Sequence, residues 1–211
     1  SGLVDFSSND YLGLAKSDHI ITYRESLVQK FNVNAHSATG SRLLTGNHPI
    51  HEAFEAFLAG FHGLDAALVF NSGYDANLGF FSAVPQRGDV IFYDEWVHAS
   101  IRDGISMSKA QNYKFKHNDI TDLSEGILRI KKQGKLQGNT EIYVATESVF
   151  SMDGDSPNLL ELSAFCEKEG IHLVIDEAHA SGIFGGGKGL VYELGLSQKV
   201  FATIVTFGKA L

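Results

Sequence analysis

The chain has 211 residues, of which 44% are hydrophobic and 20% charged, and a formal net charge of −8. That composition suits a globular protein with one sizeable core, and the acidic balance argues against nucleic acid as a partner, since phosphate binding needs a basic face. A single cysteine, Cys166, excludes an internal disulfide and sets a reducing cytoplasm as the expected location. No apolar run approaches the ~20 residues that span a bilayer, and no signal-peptide pattern opens the sequence, so no membrane association is expected.

Taken in chain order, the first helical pattern places Ile20, Leu27 and Phe31 on one side together with Arg24. A second begins at Pro49, with Ile50, Phe54, Phe57, Leu58 and Phe61 as an apolar stripe. Strand-like apolar runs follow at 66–70, 90–93, 113–115, 142–145, 172–175 and 201–205. Helical stretches lie between most of them, at 74–84, 97–107, 120–133 and 158–169. The third of these buries Ile120, Leu123, Ile127 and Ile130, and the fourth stops at Gly170, a natural left-handed cap. Short strands alternating with helices, and lacking a polar face, predict an α/β fold. Its sheet is mostly parallel, with helices on both faces.

In such sheets ligands bind beyond the carboxyl ends of the strands. Polar segments recur at that position: Asn71-Ser72-Gly73-Tyr74, Asp94 to His98, Glu147 to Asp155, Asp176-Glu177-Ala178-His179, and Thr206-Phe207-Gly208-Lys209. Each has a bland explanation. The first is equally a capped helix start or an anion site. His98 is equally a packing histidine or a flat ring stacked on a planar ligand. Asp176 is harder to dismiss, because a carboxylate ending a buried strand is costly unless paired with an arginine, a metal or a protonated ring nitrogen. No dense His/Asp/Cys grouping favours the metal. Lys209 is either an exposed charge or a desolvated, nucleophilic amine suited to Schiff-base chemistry.

Gly182 to Lys188 matches the spacing of a P-loop, but Gly189 stands where a Ser or Thr would hold magnesium, and the stretch reads as a mobile loop. The dinucleotide fingerprint fails at Leu190, and no Gly-x-Ser-x-Gly elbow is present.

Seven ordered segments together resemble the α-oxoamine synthases, within the fold-type-I pyridoxal-phosphate enzymes. They are Ser7-Ser8-Asn9-Asp10-Tyr11-Leu12-Gly13-Leu14, Thr39-Gly40-Ser41-Arg42-Leu43-Leu44-Thr45-Gly46, Asn71-Ser72-Gly73-Tyr74-Asp75-Ala76-Asn77 and His98-Ala99-Ser100, then Val149-Phe150-Ser151-Met152-Asp153-Gly154-Asp155, Asp176-Glu177-Ala178-His179 and Thr206-Phe207-Gly208-Lys209.

The resemblance implies pyridoxal 5'-phosphate as cofactor and a decarboxylating condensation of an amino acid, L-alanine first, with an acyl thioester. Pimeloyl carried on CoA or an acyl carrier protein (acyl-CoA or acyl-ACP) is the first candidate. It implies that Lys209 holds the cofactor and acts as general base, that Asp176 keeps the ring nitrogen protonated, and that His98 stacks on the ring. His179 is expected near the ring hydroxyl and Ser151 close to the cofactor. Gly73, Tyr74 and Thr206 are expected at the phosphate and Asn9 at the substrate. It further implies a homodimer, with segment 39–46 serving the partner's site. Family members are about twice this long, so the 211 residues are expected to be a large domain without its N-terminal arm and small C-terminal domain. The rival readings are a P-loop-like phosphotransferase and a catalytically inactive binding module of the same fold.

Overall fold

Side chains along the central strands point alternately to two faces, and that alternation divides the core. In the computed structural model, which describes residues 5–33, 38–136 and 138–210, five strands form one sheet: β1 (Val90–Asp94), β2 (Gln111–Phe115), β3 (Ile142–Glu147), β4 (His172–Asp176) and β5 (Ala202–Ile204). Every pairing is parallel and the order is β2-β1-β3-β4-β5. Val90, Phe92, Ile142, Val144, Leu173 and Ile175 face one layer, where they meet Leu123, Ile127 and Ile130 of helix α5 (Ile120–Lys132) and Leu159, Leu162 and Cys166 of α6 (Leu159–Glu169). Ile91, Tyr143, Ala145, Val174 and Ile204 face the other. There they pack on Phe81 of α3 (Gly73–Ala83) and on Ile101 and Ile105 of α4 (Ala99–Met107).

The chain runs outward from β1 to β2, then returns past β1 to build β3, β4 and β5. Crossovers between parallel strands are right-handed, so reversing direction puts α4 on one face and α5 and α6 on the other. The reversal opens a crevice beyond the carboxyl ends of β1 and β3, where ligands bind in sheets of this kind.

The expected α/β architecture is therefore found, and Gly170 caps α6 with φ 67° as its position predicted. The expected strand at 66–70 is not formed. Val69 instead donates its N–H to Glu55 Oε1 (2.8 Å), a carboxylate that also takes both terminal nitrogens of Arg42 at 2.6 and 2.8 Å. Those bonds hold Glu55 down to about 2, with the Arg42 hydrogen bond as the main cause. Helix α1 (Asp18–Lys30) forms where the pattern put it, but buries none of its residues in the described chain. Helix α2 (Pro49–His62) buries only Leu58 and Ala59. The glycine segment is folded on itself, with Gly182 N–H donating to Gly187 O (2.9 Å) and leading into a short α7 (Leu190–Glu193) that the sequence did not suggest. Lys188 lies over the rings of Tyr192 (4.1 Å) and Phe61 (5.4 Å), with no sign of a phosphate cradle. Among the described residues, no helix is long and apolar enough to cross a membrane.

Phe92, 1% exposed, fills the layer between β1 and α5, and a methyl group on Gly126 would come within 3.0 Å of its ring. Phe92→Ala is expected to lower stability by about 3–5 kcal/mol. In urea unfolding the midpoint should fall while the slope stays constant.

Candidate active site

Three neighbouring strands end in buried carboxylates: Asp94 (0% exposed) on β1, Glu147 (3%) on β3 and Asp176 (5%) on β4. Each accepts hydrogen bonds from amides just beyond a strand end. Asp94 takes the N–H of Trp96 (2.9 Å), Glu147 that of His98 (2.6 Å) and Asp176 that of Ala178 (2.8 Å). The carboxylates replace the ladder partners that backbone amides lose where a strand stops.

Asp176 is engaged through both of its oxygens. Its second oxygen accepts from Asn77 Nδ2 (2.7 Å), which lies one turn into α3 and also donates to Ser100 Oγ (3.0 Å). Ser100 in turn donates its N–H to His98 Nδ1 (3.2 Å), and its Oγ is 2.8 Å from the same nitrogen. A buried chain thus runs from Asp176 through Asn77 and Ser100 to His98. With Nδ1 accepting from the Ser100 amide, a neutral His98 ring carries its proton on Nε2. Glu147 is the register partner of Asp176, so two carboxylates lie side by side. Burial first, then the charge of Asp176, pushes the Glu147 acid up to about 8, against the bond from His98.

Lys209, half-buried just past β5, feels both carboxylates; burial pulls its amine below the ordinary lysine value while Asp176 and Glu147 oppose that shift. His179 is lowered as well, first by burial and then by the charge of Lys209. Its Nδ1 is 2.7 Å from Tyr11 Oη, and Tyr11 is 3.2 Å from Asn9 Oδ1. Asn9 is therefore tied to the site through Tyr11. Helix α3 starts against Thr206: a methyl group on Gly73 would come within 3.1 Å of Thr206 Cβ and 3.3 Å of its Oγ1, so that close approach requires glycine. Ser72 caps the helix through Asp75 N–H, while the Tyr74 hydroxyl donates to Asp103 and its ring stands edge-on to His98. Ser151 shares a cleft of about 480 Å³ with His98, Trp96 and Arg102.

The expected site residues thus gather along one edge of the sheet. Segment 39–46 stands apart, with Arg42 bound to Glu55 and Leu43 and Leu44 exposed. Sequence reasoning gave no role to Asn77, Glu147 or Tyr11. Glu147 carried the signal used for Asp176, an acid closing an apolar strand. Asn77 stands in the segment that begins at Asn71, a polar residue one turn inside a helix whose neighbours pack on the sheet. Among the described residues no group of three or more His, Cys, Asp or Glu stands together to hold a metal ion.

A pyridinium nitrogen fits the donor set. Asp176 is a buried carboxylate satisfied by two neutral N–H groups, and no ion pair with it is found among the described residues. Asn77 Oδ1 beside it is buried with no partner.

The sequence as a whole, residues 1–211, matches the family described as aminotransferase class I and II. The chain belongs to that family. Within it, the chain groups with the α-oxoamine synthases of fold-type-I pyridoxal-phosphate enzymes. It is 42% identical to 8-amino-7-oxononanoate synthase of Emericella nidulans, over 100% of this chain and 53% of that protein. It is 40% identical to the synthase of the same name from Anaeromyxobacter sp., over 99% and 50%. Among solved structures, the serine palmitoyltransferase of Sphingomonas wittichii matches at 35% identity and a TM-score of 0.82, over 96% of this chain and 49% of that one. The 8-amino-7-oxononanoate synthase of Francisella tularensis matches at 26% and 0.73, over 99% and 56%. The chain spans about half the length of the curated relatives it matches.

A carboxyl group whose folded value is raised favours the folded state below its unfolded value, and that contribution is lost as pH rises through the folded value. For Glu147 the window runs from 4.5 to about 8. Glu147→Gln keeps an acceptor for His98 but cannot ionise. Its melting temperature is expected to match the wild type at the acid end of that window and exceed it at the alkaline end, as measured by thermal unfolding in a pH series.

Proposed function

We propose that this chain is the cofactor-binding part of an 8-amino-7-oxononanoate synthase of biotin synthesis. That enzyme would use pyridoxal 5'-phosphate to join L-alanine to a pimeloyl thioester, on CoA or acyl carrier protein, with loss of carbon dioxide. The observation that carries the reading is the placement of a half-buried Lys209 just past β5, within the electrostatic influence of the buried carboxylate of Asp176 at the end of neighbouring β4. Relatives of that name at 40–42% identity over essentially all of the chain support it. Serine palmitoyltransferase is the second reading, favoured by the higher TM-score of 0.82. Glycine C-acetyltransferase shares most of the same segments. The three would differ in whether alanine, serine or glycine binds. An inactive binding module is disfavoured by the intact Lys209, Asp176 and His98.

When bound, pyridoxal phosphate supplies an electron sink for negative charge developing at the substrate α-carbon. Asp176 would keep a proton on the ring nitrogen, and its bonds from Asn77 and Ala178 orient its carboxylate for that task. Lys209 would be the amine that holds the cofactor and the general base for the α-proton. Burial lowers its pKa and so raises the neutral fraction that such a base needs; general-base catalysis contributes on the order of 10²–10⁴ in rate. Amides of Gly73 and Tyr74 at the start of α3, with the Thr206 hydroxyl, would hold the phosphate. His98 offers its flat ring, and Ser151 stands in the same cleft. Tyr11 holds His179, which would serve the ring hydroxyl, and Asn9 would contact the substrate.

Homodimerisation is part of the proposal. The exposed Leu43, Leu44, Phe57 and Phe6 support it, as large apolar groups that a partner surface would cover. The free, buried Cys166 supports a cytoplasmic location as part of the same proposal.

Borohydride reduction of the purified protein after incubation with pyridoxal phosphate should leave a pyridoxyl group confined to Lys209, read by peptide mass mapping. An adduct elsewhere, or none, overturns the reading. Asp176→Asn is expected to retain the cofactor weakly and to lose most exchange of the alanine α-proton with solvent, followed by NMR. Undiminished exchange would remove Asp176 from its role.

A further inference from the structure

Asp94, the third strand-end carboxylate, takes no part in the site chemistry above, yet it anchors a second polar cluster beside the cleft. His117, in the turn after β2, lies between two acids: its Nδ1 is 2.9 Å from Asp94 Oδ1 and its Nε2 is 2.8 Å from Asp155 Oδ2. The ring stacks on Trp96 (3.9 Å between centroids, 20° between planes) and meets Phe150 edge-on at 4.5 Å. Asn118 completes the cluster, giving its N–H to Asp94 Oδ2 (2.8 Å) and its side-chain amide to Asp155 Oδ2 (2.7 Å). Trp96 lies two residues from His98, and Asp155 and Phe150 bracket Ser151. The cluster therefore joins both walls of the cleft.

We propose that His117 is a positioning residue: bridging Asp94 and Asp155, it ties the Ser151-bearing loop to the carboxyl end of β1 and so fixes the cleft that Ser151 and His98 share. The inference rests on the functional reading above only in assigning that cleft to the cofactor.

The chemistry favours an imidazolium. A neutral ring has one N–H and satisfies one carboxylate; a doubly protonated ring donates to both and balances their charge. Stacking on the indole face of Trp96 favours the cation further. Burial by itself lowers the His117 value, but the bonds to Asp94 and then Asp155 outweigh it and raise the net value above that of ordinary histidine. The remaining charged groups nearby are Glu95, which accepts the His117 backbone N–H (3.2 Å), and Lys116 with Asp122, whose carboxylate accepts the Lys116 N–H (2.9 Å). Since the folded value is raised, the clamp is fully closed below the ordinary histidine pKa and is released as pH rises through the folded value.

The loop closes on itself through Phe150 N–H to Asp155 O and Gly154 N–H to Phe150 O, each 2.9 Å, so exchange of these amides reports the clamp. Hydrogen–deuterium exchange of the intact chain is expected to show them protected at neutral pH and exposed on the alkaline side. His117→Phe keeps the stack but removes both bonds. Asp155→Ala removes one from a partly exposed side chain and gives an independent measure if the first variant folds poorly. In both, exchange of the two amides should rise roughly tenfold at neutral pH while β3 and β4 stay protected. The ring nitrogens of His117, observed by ¹⁵N NMR, should both carry protons below the ordinary histidine pKa, and one should lose its proton as pH rises through the folded value. The Kd for pyridoxal phosphate, measured by fluorescence titration, should rise several-fold in both variants. Unchanged exchange in both, or a ring with one unprotonated nitrogen below the ordinary histidine pKa, overturns the clamp; a loosened loop with unchanged Kd overturns its positioning role. A wild-type chain that binds no pyridoxal phosphate instead overturns the functional reading, and the exchange and NMR results still decide the clamp.

Discussion

A buried carboxylate must be neutralised or fully hydrogen-bonded, and here that requirement recurs at three adjacent strand ends. Asp94, Glu147 and Asp176 stand where β1, β3 and β4 run out, each holding an amide beyond its strand. The sheet is apolar on both faces, so these ends are where polarity enters the core. Capping amides with acids concentrates negative charge at one edge, and that charge makes the edge selective for cationic or protonated groups.

Each acid meets the requirement differently. Asp176 gathers two neutral donors. Glu147, with one donor and a carboxylate beside it, is pushed up toward the protonated state by burial and by Asp176. Asp94 is bonded to a histidine that is itself shared with Asp155. Like charges at neighbouring register positions cannot both persist in a low-dielectric edge without a cation near them. Lys209 and His179 are the basic groups that sense this field, and both are drawn toward their neutral forms, chiefly by burial.

Much of the fold was legible because buried strands and amphipathic helices leave distinct patterns. The runs at 90–93, 142–145 and 172–175 all became strands, and 120–133 became α5 almost unchanged. The run at 66–70 has the same composition but makes its backbone bond to Glu55. Composition states that a segment is able to pair, and only the presence of a neighbouring strand decides that it does. Likewise α1 has the periodicity of a buried helix but buries nothing within the described chain, since periodicity reports a face and not what covers it. The glycine segment looked like a phosphate loop by spacing alone, while its carbonyls and amides bond to each other.

The sequence by itself determined the α/β class, the central strands and most helices, and it marked the strand-end residues Asp176, His179, Thr206 and Lys209, because polar groups closing apolar runs stand out in one dimension. The partners of those residues were decided only by the tertiary structure. Asn77 and Asp176 are 99 residues apart, and His117 and Asp155 are 38 apart. Parallel crossovers return the chain repeatedly to one edge, and the reversal between β1 and β3 sets which strand ends become neighbours. Strand order follows from how the helical layers pack on the two faces, and no local pattern records it.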